Sequence, residues 1–276
     1  MGVLARTDVQ TFDRIHMYET KRLCRRRTFM LRDQTIEEIY DGFFYSSDDL
    51  VPVGCGDCQG CSSCCQNTGD SIILDPCDLY MLSLGTGKTF EDMIEREIEI
   101  RLVDGLILPN LMKCPGDGNE QQDSAPSEQA SEISESSHPE GERCPFLTSA
   151  GRCSIHAFRP GICRLYPLGR YYTDKGFCYI LQKDECSGRD KTPVRVRDWL
   201  GIEDLPAYEA YILDWHDFLK KIREALPRLT QNSKSSVRSY ILQIFFVHPY
   251  LMEMDFYPQY KARMDVCRDA LKEILR

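Results

Sequence analysis

The stretch CGDCQGCSSCC fills residues 55–65 and sets five cysteines in eleven positions. Thiols this dense have three uses: a disulfide knot, a reactive redox centre, or a metal site. Cys55, Cys58, Cys61 and Cys64 recur every three residues, and Cys65 follows directly. The C-x2-C interval lets two thiolates of one tight turn grip the same ion.

The surrounding sequence decides most of the choice. The N-terminal residues carry no apolar run like that of a signal peptide. No run of about 18 apolar residues occurs, so no membrane span is expected. A cytoplasmic address is the expectation, and there dense cysteine reads as metal or redox chemistry. Neighbouring Cα atoms are about 3.8 Å apart, below the usual disulfide range of about 4.4–6.8 Å, so a Cys64–Cys65 bridge would be strained. With 42 % hydrophobic residues the chain can build a core without cysteine staples.

A second cysteine region runs from Cys144 to Cys186, with Cys153 and Cys163 between. Two spaced sets point to metal. Cys58, Cys61, Cys64, Cys65, Cys144, Cys153, Cys163 and Cys186 would supply two four-sulfur sites, with Cys55 as a ninth thiol. The triple x2 interval is similar to the run that holds three corners of a 4Fe–4S cluster, so iron–sulfur is preferred to zinc. In ferredoxins x3 and Cys-Pro follow, whereas here x2 and Cys65 do. In an extended chain Cys64 and Cys65 would point apart and serve different metals. Arg159 and Arg164 flank Cys163 and could offset thiolate charge. His156 reads as a loop histidine. Cys24, Cys77, Cys178 and Cys267 read as small buried hydrophobes, and Cys114 as an unused thiol.

The net charge of −9 carries no partner signal. Residues 115–142 hold eight acids and no Lys or Arg, which accounts for nearly all of it. No nucleic acid is expected as a partner. The basic KRLCRRR at 21–27 reads as a solvated helix face. GKT at 87–89 lacks the first glycine and the preceding strand of a phosphate loop.

The expected organisation has three parts: an N-terminal helical segment (1–50), a cysteine domain (51–190) and a C-terminal helical region (191–276) packed on it. Thr35 should cap a helix bearing Ile36, Ile39 and Tyr40. Asp75 and Pro76 should start another, with Gly85 at its end. Thr89 should open a third. Hairpins are expected around Asp104-Gly105 and Asp174-Lys175-Gly176. Residues 114–143 form an acidic insertion with too little apolar surface to offset ordering entropy. Tyr211, Ile212, Trp215, Leu219, Ile222 and Leu226 form an apolar helical stripe. The fold class is therefore α+β, a loop-rich cysteine core with two short hairpins and flanking helices.

CQGCSSCC together with CPFL, GRCSIHAFRPGICRLYPL and their spacing resembles the YkgJ-type cysteine-cluster family of zinc- or iron-chelating proteins. The resemblance spans about residues 50–190. It implies metal ligation by Cys58, Cys61, Cys64, Cys65, Cys144, Cys153, Cys163 and Cys186. Cys55 and the acidic insertion depart from the pattern. The helical region after Asp198 resembles the tail of a bacterial subgroup. Flagellin lysine N-methylases carry a similar cluster, so a protein-modifying or redox enzyme acting on a protein substrate is one implied function. A zinc-stapled module that binds a protein partner is the alternative.

Overall fold

The computed structural model describes residues 36–54, 62–66, 72–94, 96–114, 142–183, 185–186 and 191–276. Cys24, Thr35, Cys55, Cys58 and Cys61 lie outside them, as do residues 115–141.

A single helical turn, α1 (Ile36–Ile39), leads into extended chain. Tyr40 then bridges Gln182, and Tyr45 bridges Tyr179. This segment adds to the edge of a hairpin instead of extending a helix. β1 (Leu50–Gly54) follows, then one 3-10 turn at Ser63–Cys65. Helix α2 (Pro76–Thr86) starts as expected, with Asp75 and Asp78 forming a reciprocal capping box and Pro76 in the first turn. It ends two residues later than expected, on Gly87 in the left-handed region (φ 69°). Gly85 lies inside the helix for a different reason. A Cβ there would sit 2.4 Å from the ring of Phe158, so only glycine lets that ring pack against the helix. α3 (Phe90–Met93) opens on the Thr89 cap.

β2 (Ile98–Val103) and β3 (Leu106–Leu111) form the first hairpin. Asp104 and Gly105 turn it with φ of 48° and 80°, the two positive values a tight two-residue turn requires. Every residue of β3 is buried. Its far edge is taken by residues 72–74, where Leu74 N–H donates to Pro109 O and Leu111 N–H to Ile72 O. A 3-10 turn (His156–Phe158) and α4 (Gly161–Leu165) precede the second hairpin, β4 (Leu168–Thr173) with β5 (Gly176–Leu181). β6 (Thr192–Arg195) returns to pair antiparallel with β1. This third pair joins segments about 140 residues apart, and no local pattern announced it.

The C-terminal region is α5 (Val196–Leu200), the long α6 (Leu205–Ala225), α7 (Gln231–Leu242) running into a π turn (Gln243–Val247), and α8 (Phe256–Ala270). Tyr211, Ile212, Trp215 and Ile222 of the expected stripe are buried, together with Phe218. They pack against Phe245, Phe246, Phe256 and Tyr260 in one continuous core that also takes in Leu74, Leu79, Leu82 and both hairpins. The fold is α+β with short antiparallel pairs. No helix among the described residues is long and apolar enough to cross a membrane.

Candidate metal centre

The two cysteine regions meet. In the 3-10 turn, Cys65 N–H closes on Ser62 O, and Gln66 then bridges Arg143. Cys144 N–H donates to Cys65 O at 2.8 Å, which ties the first region to the second backbone to backbone. From there a tight loop folds Ser154 N–H onto Phe146 O and pairs Leu147 with Cys153. The chain continues through the 3-10 turn into α4, which carries Cys163.

Helix α4 is anchored by α2. Gly161 N–H donates to Asp78 Oδ1 at 2.6 Å, while the other oxygen of the same buried carboxyl accepts from Asp75 N–H at 3.0 Å. One side chain thus caps its own helix and docks the helix that bears Cys163. Gly161 has no room for a side chain: a Cβ would lie 2.1 Å from the Tyr208 hydroxyl. Cys77 N–H donates to Tyr211 Oη, which fixes α2 to α6.

Burial and the charges of neighbouring thiols perturb the cysteines of both regions. Cys64 is pulled down to about 6, chiefly because it accepts the S–H of Cys65; Arg159 helps. Cys65 is raised, first by holding that shared proton and then by burial and the charges of Cys64, Cys144 and Cys153. Burial lifts Cys144 to about 11, with Cys153, Cys114 and Cys64 adding to it. Burial also raises Cys163, with Cys144, Asp78, Cys64 and Cys153 contributing. Cys153 is raised by burial and partly relieved by Arg159. Cys64, Cys65, Cys144, Cys153 and Cys163 therefore share one neighbourhood, and Arg159 faces it. Arg164 sits beside Cys77 instead. His156 contacts Arg159, and burial lowers its basicity.

The structure departs from the sequence expectations at Cys64–Cys65 and at Cys178. Cys64 and Cys65 do not point apart: the 3-10 turn brings their sulfurs to 3.9 Å. Cys114, read from the sequence as an unused thiol of the acidic insertion, is held in place by backbone pairing. It pairs with Arg143 in both backbone directions at the neck of the acidic insertion, which sets it beside Cys144. Its position after a buried strand was the only sequence signal for this. Cys178 is half-exposed on β5, not buried, because it lies on the outer face of the hairpin. Cys267 is fully buried as expected, and Cys77 is partly buried. Cys186 is half-buried after β5 and makes no hydrogen bond to the other thiols among the described residues.

The donor chemistry fits a metal. Two sulfurs each about 2.3 Å from one tetrahedral ion stand about 3.8 Å apart, close to the 3.9 Å between Cys64 and Cys65. Among the described residues no group of three or more donors is placed to hold an ion as it stands. Three cysteines of the x2 repeat lie outside them.

The described thiols of the two regions form a cysteine cluster tied together by the Cys144–Cys65 backbone bond. Residues 57–186 match the family model CxxCxxCC, described as "Putative zinc- or iron-chelating domain". Comparison with curated proteins and with solved structures gives no match.

Proposed function

We propose that the two cysteine regions close on a shared thiolate-ligated centre. Its ligands come from Cys55, Cys58, Cys61, Cys64, Cys65, Cys144, Cys153, Cys163 and Cys186, with Cys114 added to the pool. The supporting observation is the meeting of Cys64 and Cys65 with Cys144, Cys153 and Cys163 around the Cys144–Cys65 backbone bond. When bound, the metal supplies either a structural closure or a redox-active centre. The chain itself positions the thiols, partly buries Cys163 and aims Arg159 at the thiolates.

The x2 repeat favours iron–sulfur. The 3.9 Å separation favours Cys64 and Cys65 on one ion, and hence zinc or an iron that takes two cysteines. An enzymatic role, redox or protein-modifying in the manner of lysine N-methylases, is supported by a cavity lined by Arg170 and Tyr172. Arg170 acts on Asp78, the residue that docks the Cys163 helix. A zinc staple for a protein-binding surface is the second reading, favoured by the partial burial of Cys163 on a helix docked into the core. We place the protein in the cytoplasm, where its thiols stay reduced.

Anaerobic purification followed by metal analysis and absorption spectroscopy tests the proposal. Brown protein absorbing near roughly 400 nm identifies iron–sulfur, and colourless protein with stoichiometric zinc identifies the staple. Cys163→Ser lowers metal content in either case. Metal-free wild-type protein, or full metal content in both Cys65→Ser and Cys163→Ser, refutes a centre shared by the two regions.

A further inference from the structure

Between the first hairpin, the second hairpin and α6 lies a cavity of about 280 Å³. Its walls are mostly apolar, with Leu106, Leu108, Ile212 and Trp215 among them. Tyr172 and His216 add a flat aromatic surface, their rings parallel within 5° and 3.6 Å apart. At the mouth Asp104 and Arg223 neutralise each other at 2.9 Å.

Arg170 is the exception in this lining. Its guanidinium is sandwiched between the rings of Phe177 and Tyr208, each centroid 5.6 Å away. Its Nη2 donates to the Tyr208 hydroxyl at 3.3 Å, and the guanidinium also donates to the hydroxyls of Tyr172 and Tyr179. Its Nε is buried with no hydrogen-bond partner. No carboxylate stands at ion-pair distance from it among the described residues. Asp75 also lines the cavity, but its Oδ1 is engaged by Asp78 N–H. A half-buried guanidinium offers five donors, and the Asp75 and Asp78 carboxyls that act on it from nearby make no ion-pair contact with it. Pockets for small organic molecules have this composition: apolar and aromatic walls with a few placed polar groups.

The geometry points to a binding site for a small organic carboxylate, with its apolar or aromatic body against Trp215 and the Tyr172–His216 stack and its carboxylate on Arg170. One half-buried cation in an apolar chamber suits a monoanion. A phosphate dianion would need more donors than the cavity presents. At about 280 Å³ the site falls just below the usual range of roughly 300–1,000 Å³, which limits it to a small ligand. The inference does not rest on the identity or presence of the metal.

The test uses the full chain as purified with its metal, and two probes of equal shape, benzoate and the uncharged benzamide. Calorimetry and ligand-observed NMR read binding. Benzoate binds at least about tenfold more tightly than benzamide, the margin of one charge-assisted contact. Arg170→Gln removes that margin. Because Arg170 is half-buried and the variant could fold poorly, Leu219→Trp supplies an independent arm. It fills the cavity from its half-buried rim, leaves Arg170 in place and weakens benzoate at least about tenfold. Equal binding of the two probes overturns the proposal. So does unchanged benzoate binding in Leu219→Trp, or no benzoate binding up to about 10 mM, the weak limit of small-ligand affinity. In that last case water alone satisfies Arg170.

Discussion

Replacing Asp78 by alanine tests how the Cys163 helix is held. In the wild type its two carboxyl oxygens accept from two backbone N–H groups, Gly161 at 2.6 Å and Asp75 at 3.0 Å. Both bonds are lost in Asp78→Ala, and the site is too buried for solvent to replace them. An orphaned buried donor costs about 1–3 kcal/mol, so the gross loss is roughly 2–6 kcal/mol. Part returns because the carboxyl itself is unfavourably buried; burial and the neighbouring Asp75 raise its proton affinity well above the ordinary range. A net loss of about 2–4 kcal/mol follows, or roughly 5–10 °C in melting temperature for a chain of this size. Asp78→Asn keeps one acceptor and loses about half as much. Circular dichroism melts read stability, and metal analysis of the same samples reads the docking of α4. Metal content falls with stability in Asp78→Ala and is largely kept in Asp78→Asn. An alanine variant melting within about 1 °C of wild type, or an asparagine variant as damaged as the alanine one, refutes this anchoring role.

Three further outcomes are expected. Gly161→Ala forces its Cβ against the Tyr208 hydroxyl and costs about 1–3 kcal/mol by overpacking; adding Tyr208→Phe restores part of it, and equal melts of single and double variants would contradict the clash. His216 is lowered from its ordinary range mainly by burial, with Arg223 second. Its neutral form is the stabilising one, so its contribution is present above about pH 6.5 and is lost as pH falls through the lower folded value. Wild-type melting temperature should therefore drop more than that of His216→Phe between about pH 7.5 and 5, and parallel curves would exclude the effect. Cys267→Ser puts a hydroxyl into a fully buried apolar site. It destabilises by about 1–3 kcal/mol yet retains its metal, whereas Cys163→Ser loses metal; denaturant melts paired with metal analysis separate the two roles.

What the sequence carried by itself is what a few neighbouring residues dictate. Asp75-Pro76 announced α2, and Thr89 announced α3. Asp104-Gly105 marked a hairpin turn because a two-residue loop needs two positive φ values there. The stripe through Tyr211, Trp215 and Ile222 announced a helix with one buried face. The cysteine spacing announced metal chemistry, since thiolates that share an ion must be close in the chain or be brought close.

The tertiary structure decided everything that depends on distant partners. β1 pairs with β6 across about half of the chain. Gly85 looked like a helix end and proved to be the seat of Phe158. Cys114 looked idle and proved to lie beside Cys144. Cys64 and Cys65 looked divergent until a 3-10 turn, stitched to Cys144, brought their sulfurs together. Arg170 carried no local signal, and folding set its guanidinium in a cavity wall between Phe177 and Tyr208. Propensity and spacing act over a few residues, whereas burial, charge pairing and shared ligation are set by which segments the core presses together. No local pattern encodes the second partner of such a contact.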